Sequence, residues 1–75
     1  MIEKIEKILN EKGKVKIKLY SLIYSIELLN DKYIIYADYY DNNKKEYYSL
    51  LELLNCYQIY NENIIENIGR IILYE

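Results

Sequence analysis

The chain has 75 residues, with 10 lysines and arginines against 12 acids and a net charge of −2. This length suffices for one small domain, and no apolar run approaches the ~20 residues that a membrane-spanning helix needs. The single cysteine, Cys56, cannot form an intramolecular disulfide, which is typical of proteins in reducing compartments. We therefore expect a soluble, cytoplasmic, single-domain protein that does not associate with membranes.

The amino-terminal third predicts a helix followed by a strand. Apolar residues recur at helical spacing over residues 2–12, and Gly13 follows where a left-handed residue commonly ends a helix. Residues 14–19 then alternate lysine with an apolar residue, which is typical of a half-buried strand. If the chain reverses at Tyr20-Ser21, the expected pairs are Leu19 with Leu22, Ile17 with Tyr24, Val15 with Ile26, and Lys14 with Glu27. A bent, continuous strand with a bulge is the alternative.

Residues 22–40 predict two strands joined by a tight turn at Asn30-Asp31, because both turn residues tolerate positive φ. The expected register pairs Leu29 with Lys32, Leu28 with Tyr33, Ile26 with Ile35, and Tyr24 with Ala37. These residues give one apolar face. The opposite, mixed face would carry Ser25, Glu27, Asp38, Tyr36 and Tyr40, among other residues.

The second half of the chain is less regular. Residues 41–44 predict a turn, residues 46–48 a short edge strand, and Ser49 with Glu52 a capping box before a helix that ends near Tyr57. Residues 61–75 fit either a continuous helix or a short helix that ends at Gly69, followed by a final strand; we favour the second. The predicted fold class is α+β: an N-terminal helix, an antiparallel three- to four-stranded meander, then one or two short helices, with a final strand as an option.

The residue inventory argues against catalysis. The chain has no histidine, which removes the usual general base and zinc ligand. One cysteine cannot build a thiolate metal site, and two glycines cannot form a phosphate-binding loop. Cys56 lies among leucines, so we expect a small core residue rather than a nucleophile. These features predict a non-enzymatic protein with no cofactor and no metal.

Binding to another macromolecule is the remaining class of function. Tyrosine offers a large contact area with a polar tip, and the chain has 11 tyrosines but no phenylalanine or tryptophan. The predicted partner-binding surface comprises Tyr36, Asp38, Tyr40, Asp41, Glu46 and Tyr47. In the expected register Tyr47 lies on the mixed face and Glu46 points to the other face. The competing interpretation is that helices cover this face, so that its tyrosines belong to the core.

Two alternatives remain open for function. Lys14, Lys16 and Lys18 would share the mixed face with Tyr36 and Tyr40, which suits weak binding of single-stranded nucleic acid. The same lysines would also protect an exposed edge strand from aggregation. A structural or oligomerising protein, such as a homodimer, is the other alternative. The partner is otherwise expected to be another protein or a nucleoprotein complex.

The small acidic chain, the helix–meander–helix plan and the abundance of Ile, Lys, Asn and Tyr resemble small phage and mobile-element proteins of AT-rich bacteria. Among these, the chain is similar in general build to anti-CRISPR inhibitors. The resemblance implies an inhibitor that binds a host nuclease, in some cases by mimicking nucleic acid with acidic side chains. It rests on architecture and composition, so it transfers no functional residue to this chain.

Overall fold

The structure is a computed structural model, and it describes the backbone of residues 1–74 and their side chains except those of residues 40–42. The fold is α+β, with an N-terminal helix, a four-stranded antiparallel meander, short helices and a final strand. Its elements are α1 (Ile2–Lys12), β1 (Lys14–Leu19), β2 (Leu22–Leu29), β3 (Lys32–Ala37), β4 (Tyr40–Tyr47), α2 (Leu50–Cys56), β5 (Gln58–Ile59), β6 (Glu62–Asn63), a 3₁₀ helix (Ile64–Arg70) and β7 (Ile72–Tyr74).

The first two hairpins have the predicted registers. All four expected β1–β2 pairs and all four expected β2–β3 pairs are present, so the alternative of a continuous bulged strand is wrong. Both turns have left-handed φ at their two central residues: 55° and 64° at Tyr20-Ser21, and 52° and 64° at Asn30-Asp31. Two consecutive positive φ values define the turn whose twist matches that of the flanking strands. The alternating pattern fixed the register because a slip of one residue would expose the apolar face.

The third hairpin differs from the prediction. Its turn lies at Asp38-Tyr39 rather than at residues 41–44, which belong to β4. Ala37 pairs with Tyr40, and the register then shifts so that Ile35 pairs with Lys45. This polar segment can form a strand because β4 lies at the edge of the sheet. Its backbone is hydrogen-bonded to β3 on one side, and its other side faces solvent, where polar residues are favourable.

The core lies between one face of the sheet and the helices. Helix α1 contributes Ile5, Ile8 and Leu9, and ends at Gly13, whose left-handed φ of 77° lets its N–H bond to the Leu9 carbonyl at 2.8 Å. The Ser49 hydroxyl caps α2 by accepting from the Glu52 N–H at 3.0 Å, as predicted. Helix α2 adds three buried leucines to the same core: Leu50, Leu53 and Leu54. No helix within residues 1–74 is long and apolar enough to cross a membrane.

Cys56 corrects one prediction. It is exposed at the end of α2, not buried, and the buried positions of that helix are taken by Leu50, Leu53 and Leu54.

The carboxy-terminal region holds a hairpin that the sequence did not indicate. Strands β5 and β6 pair through a turn at Tyr60-Asn61, where φ is again positive, 54° and 64°. The following 3₁₀ segment, Ile64–Arg70, is broken at Asn67, whose φ of −116° and ψ of 19° are not helical, and it ends at Arg70 rather than at Gly69. The predicted final strand is present as β7. It pairs with β1 and completes the sheet order β4-β3-β2-β1-β7. Strand β1 is therefore internal, and its lysines do not protect an edge.

Candidate functional site

The sheet face that points away from the core, which we call the open face, holds Lys16, Ser25 and Tyr36 on three adjacent strands in register. Their chain neighbours Ile17, Ile26 and Ile35 point into the core. The helices pack on the core side, so the interpretation that they cover this face is not supported. The open face is instead occupied by its own polar contacts.

One set of contacts ties Tyr36 to the neighbouring strands. Its hydroxyl donates to the Glu27 carboxylate at 2.7 Å, and its ring lies 4.7 Å below the Lys44 ammonium. Glu27 also forms the predicted cross-strand ion pair with Lys14, 3.6 Å away. The Tyr36 hydroxyl and the Glu27 carboxylate raise the pKa of Lys14 above its usual value. The hydroxyl and the ring of Tyr36 therefore both have partners within the chain.

A second set of contacts surrounds Asp38. This carboxylate accepts hydrogen bonds from the Ser25 hydroxyl at 2.5 Å and from the Lys16 ammonium. Partial burial raises the pKa of Asp38, but the bonds from Lys16 and Ser25 outweigh it and hold that pKa below its usual value. Ser25 is fully buried beneath these side chains. Asp38 and Lys16 thus cover Ser25 at the centre of the open face.

Of the predicted partner-binding residues whose side chains the structure describes, three lie on the open face and Tyr47 does not. Tyr36 and Asp38 lie on the open face within the contacts just described, and Glu46 also lies there because it pairs with Ile34. Tyr47 pairs with Tyr33 and packs against the core, where burial raises its pKa. The expected orientations of Glu46 and Tyr47 were therefore reversed, because the register shift between Ala37 and Ile35 turns the following β4 side chains to the opposite faces. The side chains of Tyr40 and Asp41 lie outside the described residues.

The positive charge of the three β1 lysines, Lys14, Lys16 and Lys18, is largely neutralised. Lys14 and Lys16 are ion-paired with Glu27 and Asp38, so two of the three predicted nucleic-acid contacts carry a local counter-charge. Lys18 is half-buried, between Ile23 of β2 and Ile72 of β7. Phosphate binding depends on unneutralised cations, so this arrangement weakens the case for a nucleic-acid surface.

A second surface lies at the end of the sheet, where the turns after β1, β3 and β5 meet. A cleft of about 230 Å³, which we call the tyrosine cleft, opens there. Its lining, among the residues whose side chains the structure describes, is uncharged and comes from β2, β3, the turn after β3, β4 and the segment after α2: Tyr24, Ala37, Tyr39, Asn43, Tyr57, Gln58, Ile59 and Tyr60.

The floor and the walls of the tyrosine cleft differ in exposure. Tyr24 and Tyr57 form the floor and are almost fully buried, whereas the wall residues Tyr39 and Tyr60 are 65% and 70% exposed. The Tyr24 ring packs edge-to-face against both Tyr39 and Tyr57, with centroids 6.4 and 6.2 Å apart. Burial raises the pKa of both floor tyrosines. A buried aromatic floor therefore packs against the accessible ring of Tyr39, and Tyr60 is the second exposed ring of the lining.

Tyr20 holds the β5–β6 hairpin beside the cleft. Its ring packs edge-to-face on Tyr60 at 5.5 Å, and its hydroxyl bridges Glu62 and Asn67 at 3.0 and 3.1 Å. The bond to Glu62 raises the pKa of Tyr20. This contact joins the β1–β2 turn to the carboxy-terminal region, so the wall formed by Tyr60 is fixed by tertiary contacts rather than by its short hairpin alone.

Three lining residues of the tyrosine cleft were predicted from the sequence, but as core residues rather than as a site. Tyr24, Ala37 and Tyr57 were expected on buried faces, which the structure confirms. Tyr39, Gln58 and Tyr60 were missed as site residues because they lie in or beside turns, where periodicity carries no signal, and Asn43 was missed because its segment of β4 was predicted as a turn.

The chain was compared with known proteins, and no family model, curated protein or solved structure matches it significantly. The chemistry of the site therefore has to be judged from its own residues. Among the residues that the structure describes, no three histidine, cysteine, aspartate or glutamate side chains are grouped to hold a metal ion. The tyrosine cleft offers aromatic rings, phenol hydroxyls and two amides instead.

Proposed function

We propose that this chain is a non-enzymatic protein that binds another macromolecule through the tyrosine cleft. The observation that carries the proposal is a pair of exposed tyrosines in one cleft, Tyr39 packed on the buried floor and Tyr60 packed on Tyr20. Aromatic side chains held rigid by packing lose little entropy on binding, which is why tyrosine is enriched at interface hot spots. The absence of histidine from the sequence supports binding without catalysis.

The open face is the weaker candidate for this function. Its tyrosine and two of its lysines already have partners in the chain, so a ligand would have to replace those contacts. The wall residues Tyr39 and Tyr60 are instead mostly exposed, so a ligand can reach their rings without replacing contacts of that kind. The resemblance to anti-CRISPR inhibitors supplies a first class of partner to test, a nuclease that carries a guide or target nucleic acid.

Affinity capture with paired variants tests this proposal. The cleft variant is Tyr39→Leu with Tyr60→Leu, and the matched control is Tyr48→Leu, a tyrosine that is 78% exposed and lies outside the cleft lining. We expect at least one protein from the native host to be retained by the wild type and the control but lost by the cleft variant. Circular dichroism should show all three folded. A partner that all three retain equally would contradict the proposal, and so would the absence of any partner.

A further inference from the structure

We propose, resting on the function above, that the tyrosine cleft takes a basic side chain of the partner protein, with arginine as the preferred occupant. The size of the cleft is the first reason. About 230 Å³ is smaller than the ~300–1,000 Å³ typical of pockets for drug-sized ligands, so it suits one inserted side chain.

The chemistry of the lining is the second reason. The π-face of an aromatic ring attracts a cation, and arginine also stacks on rings through its flat, weakly hydrated guanidinium. The amide carbonyls of Asn43 and Gln58 add neutral acceptors at the same cleft. A purely aliphatic side chain would leave these acceptors and the phenol hydroxyls without partners.

The charge around the cleft is the third reason. The lining residues that the structure describes are all uncharged, and the acid shown beside the cleft is Glu62. The Glu62 carboxylate pairs with a neutral hydroxyl on Tyr20 and so keeps its charge near the Tyr60 wall. Asp38 is neutralised by Lys16, and Arg70 lies near the Tyr20 hydroxyl rather than in the lining. Arg70 offsets part of the Glu62 charge, but the described lining holds no cation that would repel a charged ligand.

The open face gives an internal example of the same contact. The Lys44 ammonium sits 4.7 Å above the centre of the Tyr36 ring, so the chain already uses a tyrosine face to hold a cation. The walls of the cleft present two further rings, Tyr39 and Tyr60, and the described lining residues include no lysine or arginine.

Titration of the ¹⁵N-labelled protein with capped amino acids, followed by NMR, tests the inference. The probes are Nα-acetylarginine methylamide, its norleucine counterpart, which keeps an aliphatic stem without the charge, and its phenylalanine counterpart. We expect arginine to shift the signals of Tyr39, Asn43, Gln58 and Tyr60, with weaker binding of the other two probes. The cleft variant should bind arginine about fivefold or more weakly, because each exposed cation–π contact contributes about two- to fivefold.

Two control proteins show whether the aromatic rings of the cleft hold the cation. Tyr48→Leu should bind arginine like the wild type, and Tyr39→Phe with Tyr60→Phe should retain most of the affinity because the rings remain. Equal or tighter binding of norleucine or phenylalanine would overturn the inference, as would no shift at the cleft with arginine. If arginine fails while partner capture still depends on Tyr39 and Tyr60, the proposed function stands and the anchor is a different side chain.

Discussion

The open face and the tyrosine cleft use the same residue type for opposite purposes. Tyr36 donates to Glu27 and supports Lys44, so its polar tip and its ring both act within the chain. Tyr39 and Tyr60 contact other tyrosine rings at one edge and leave most of their surface in solvent. An exposed position on a sheet therefore does not make a tyrosine available to a partner, because cross-strand pairing can occupy it first.

The floor of the cleft should show the largest effect on stability. Tyr24→Ala removes a nearly fully buried ring that contacts both Tyr39 and Tyr57, and we expect a loss of about 3–5 kcal/mol in the free energy of unfolding. Tyr24→Phe keeps the ring and should cost far less. Urea denaturation measures both. Similar midpoints for Tyr24→Ala and the wild type would mean that the cleft has no rigid floor.

The cap of α2 should give the next largest effect. This helix leads directly into Tyr57 and Gln58 of the cleft, and Ser49→Ala removes the side-chain oxygen that accepts from the Glu52 N–H. We expect a loss of about 1 kcal/mol, as for other N-cap substitutions. Thermal or urea unfolding checks it against Ser49→Thr, which retains a capping hydroxyl. An equal loss in both variants would assign the effect to something other than the cap.

Loss of the Tyr36–Glu27 hydrogen bond on the open face should lower stability by a smaller amount and leave partner binding unchanged. Tyr36→Phe removes the hydroxyl that donates to Glu27 but keeps the ring beneath Lys44, so we expect a loss of about 0.5–1 kcal/mol. Partner capture by this variant should match the wild type. Loss of the partner in a folded Tyr36→Phe protein would place the interface on the open face instead.

The smallest effect concerns the pH dependence of the Asp38 contacts. Because the pKa of Asp38 is lower in the folded protein than the ordinary value of 3.8, its contribution is present above that value and is lost as the pH falls through the folded-state pKa. Asp38→Asn cannot titrate, so its stability should fall less than that of the wild type below pH 3.8. Unfolding midpoints at neutral and acidic pH measure the difference. Parallel pH profiles would contradict the depressed pKa.

The sequence predicted the parts of the fold that periodicity controls. The pairs from Lys14–Glu27 to Tyr24–Ala37 were correct because alternate burial tolerates one register. Residues 41–44 were misread because a polar edge strand has the composition of a turn. The β5–β6 hairpin was missed because two-residue strands show no alternation. The cleft wall formed by Tyr39 and Tyr60 depends on how the carboxy-terminal region packs against the sheet through Tyr20. Local sequence does not specify that packing.

The role of the tyrosine cleft is best tested by the affinity of a captured and purified partner for two matched double variants. One is Tyr39→Leu with Tyr60→Leu in the cleft, and the other is Tyr36→Phe with Asp38→Asn on the open face. Isothermal titration calorimetry should show about a tenfold or larger loss of affinity for the cleft variant, as expected when aromatic anchors are removed, and little change for the open-face variant. A loss confined to the open-face variant, with the cleft variant unchanged, would contradict binding through the cleft.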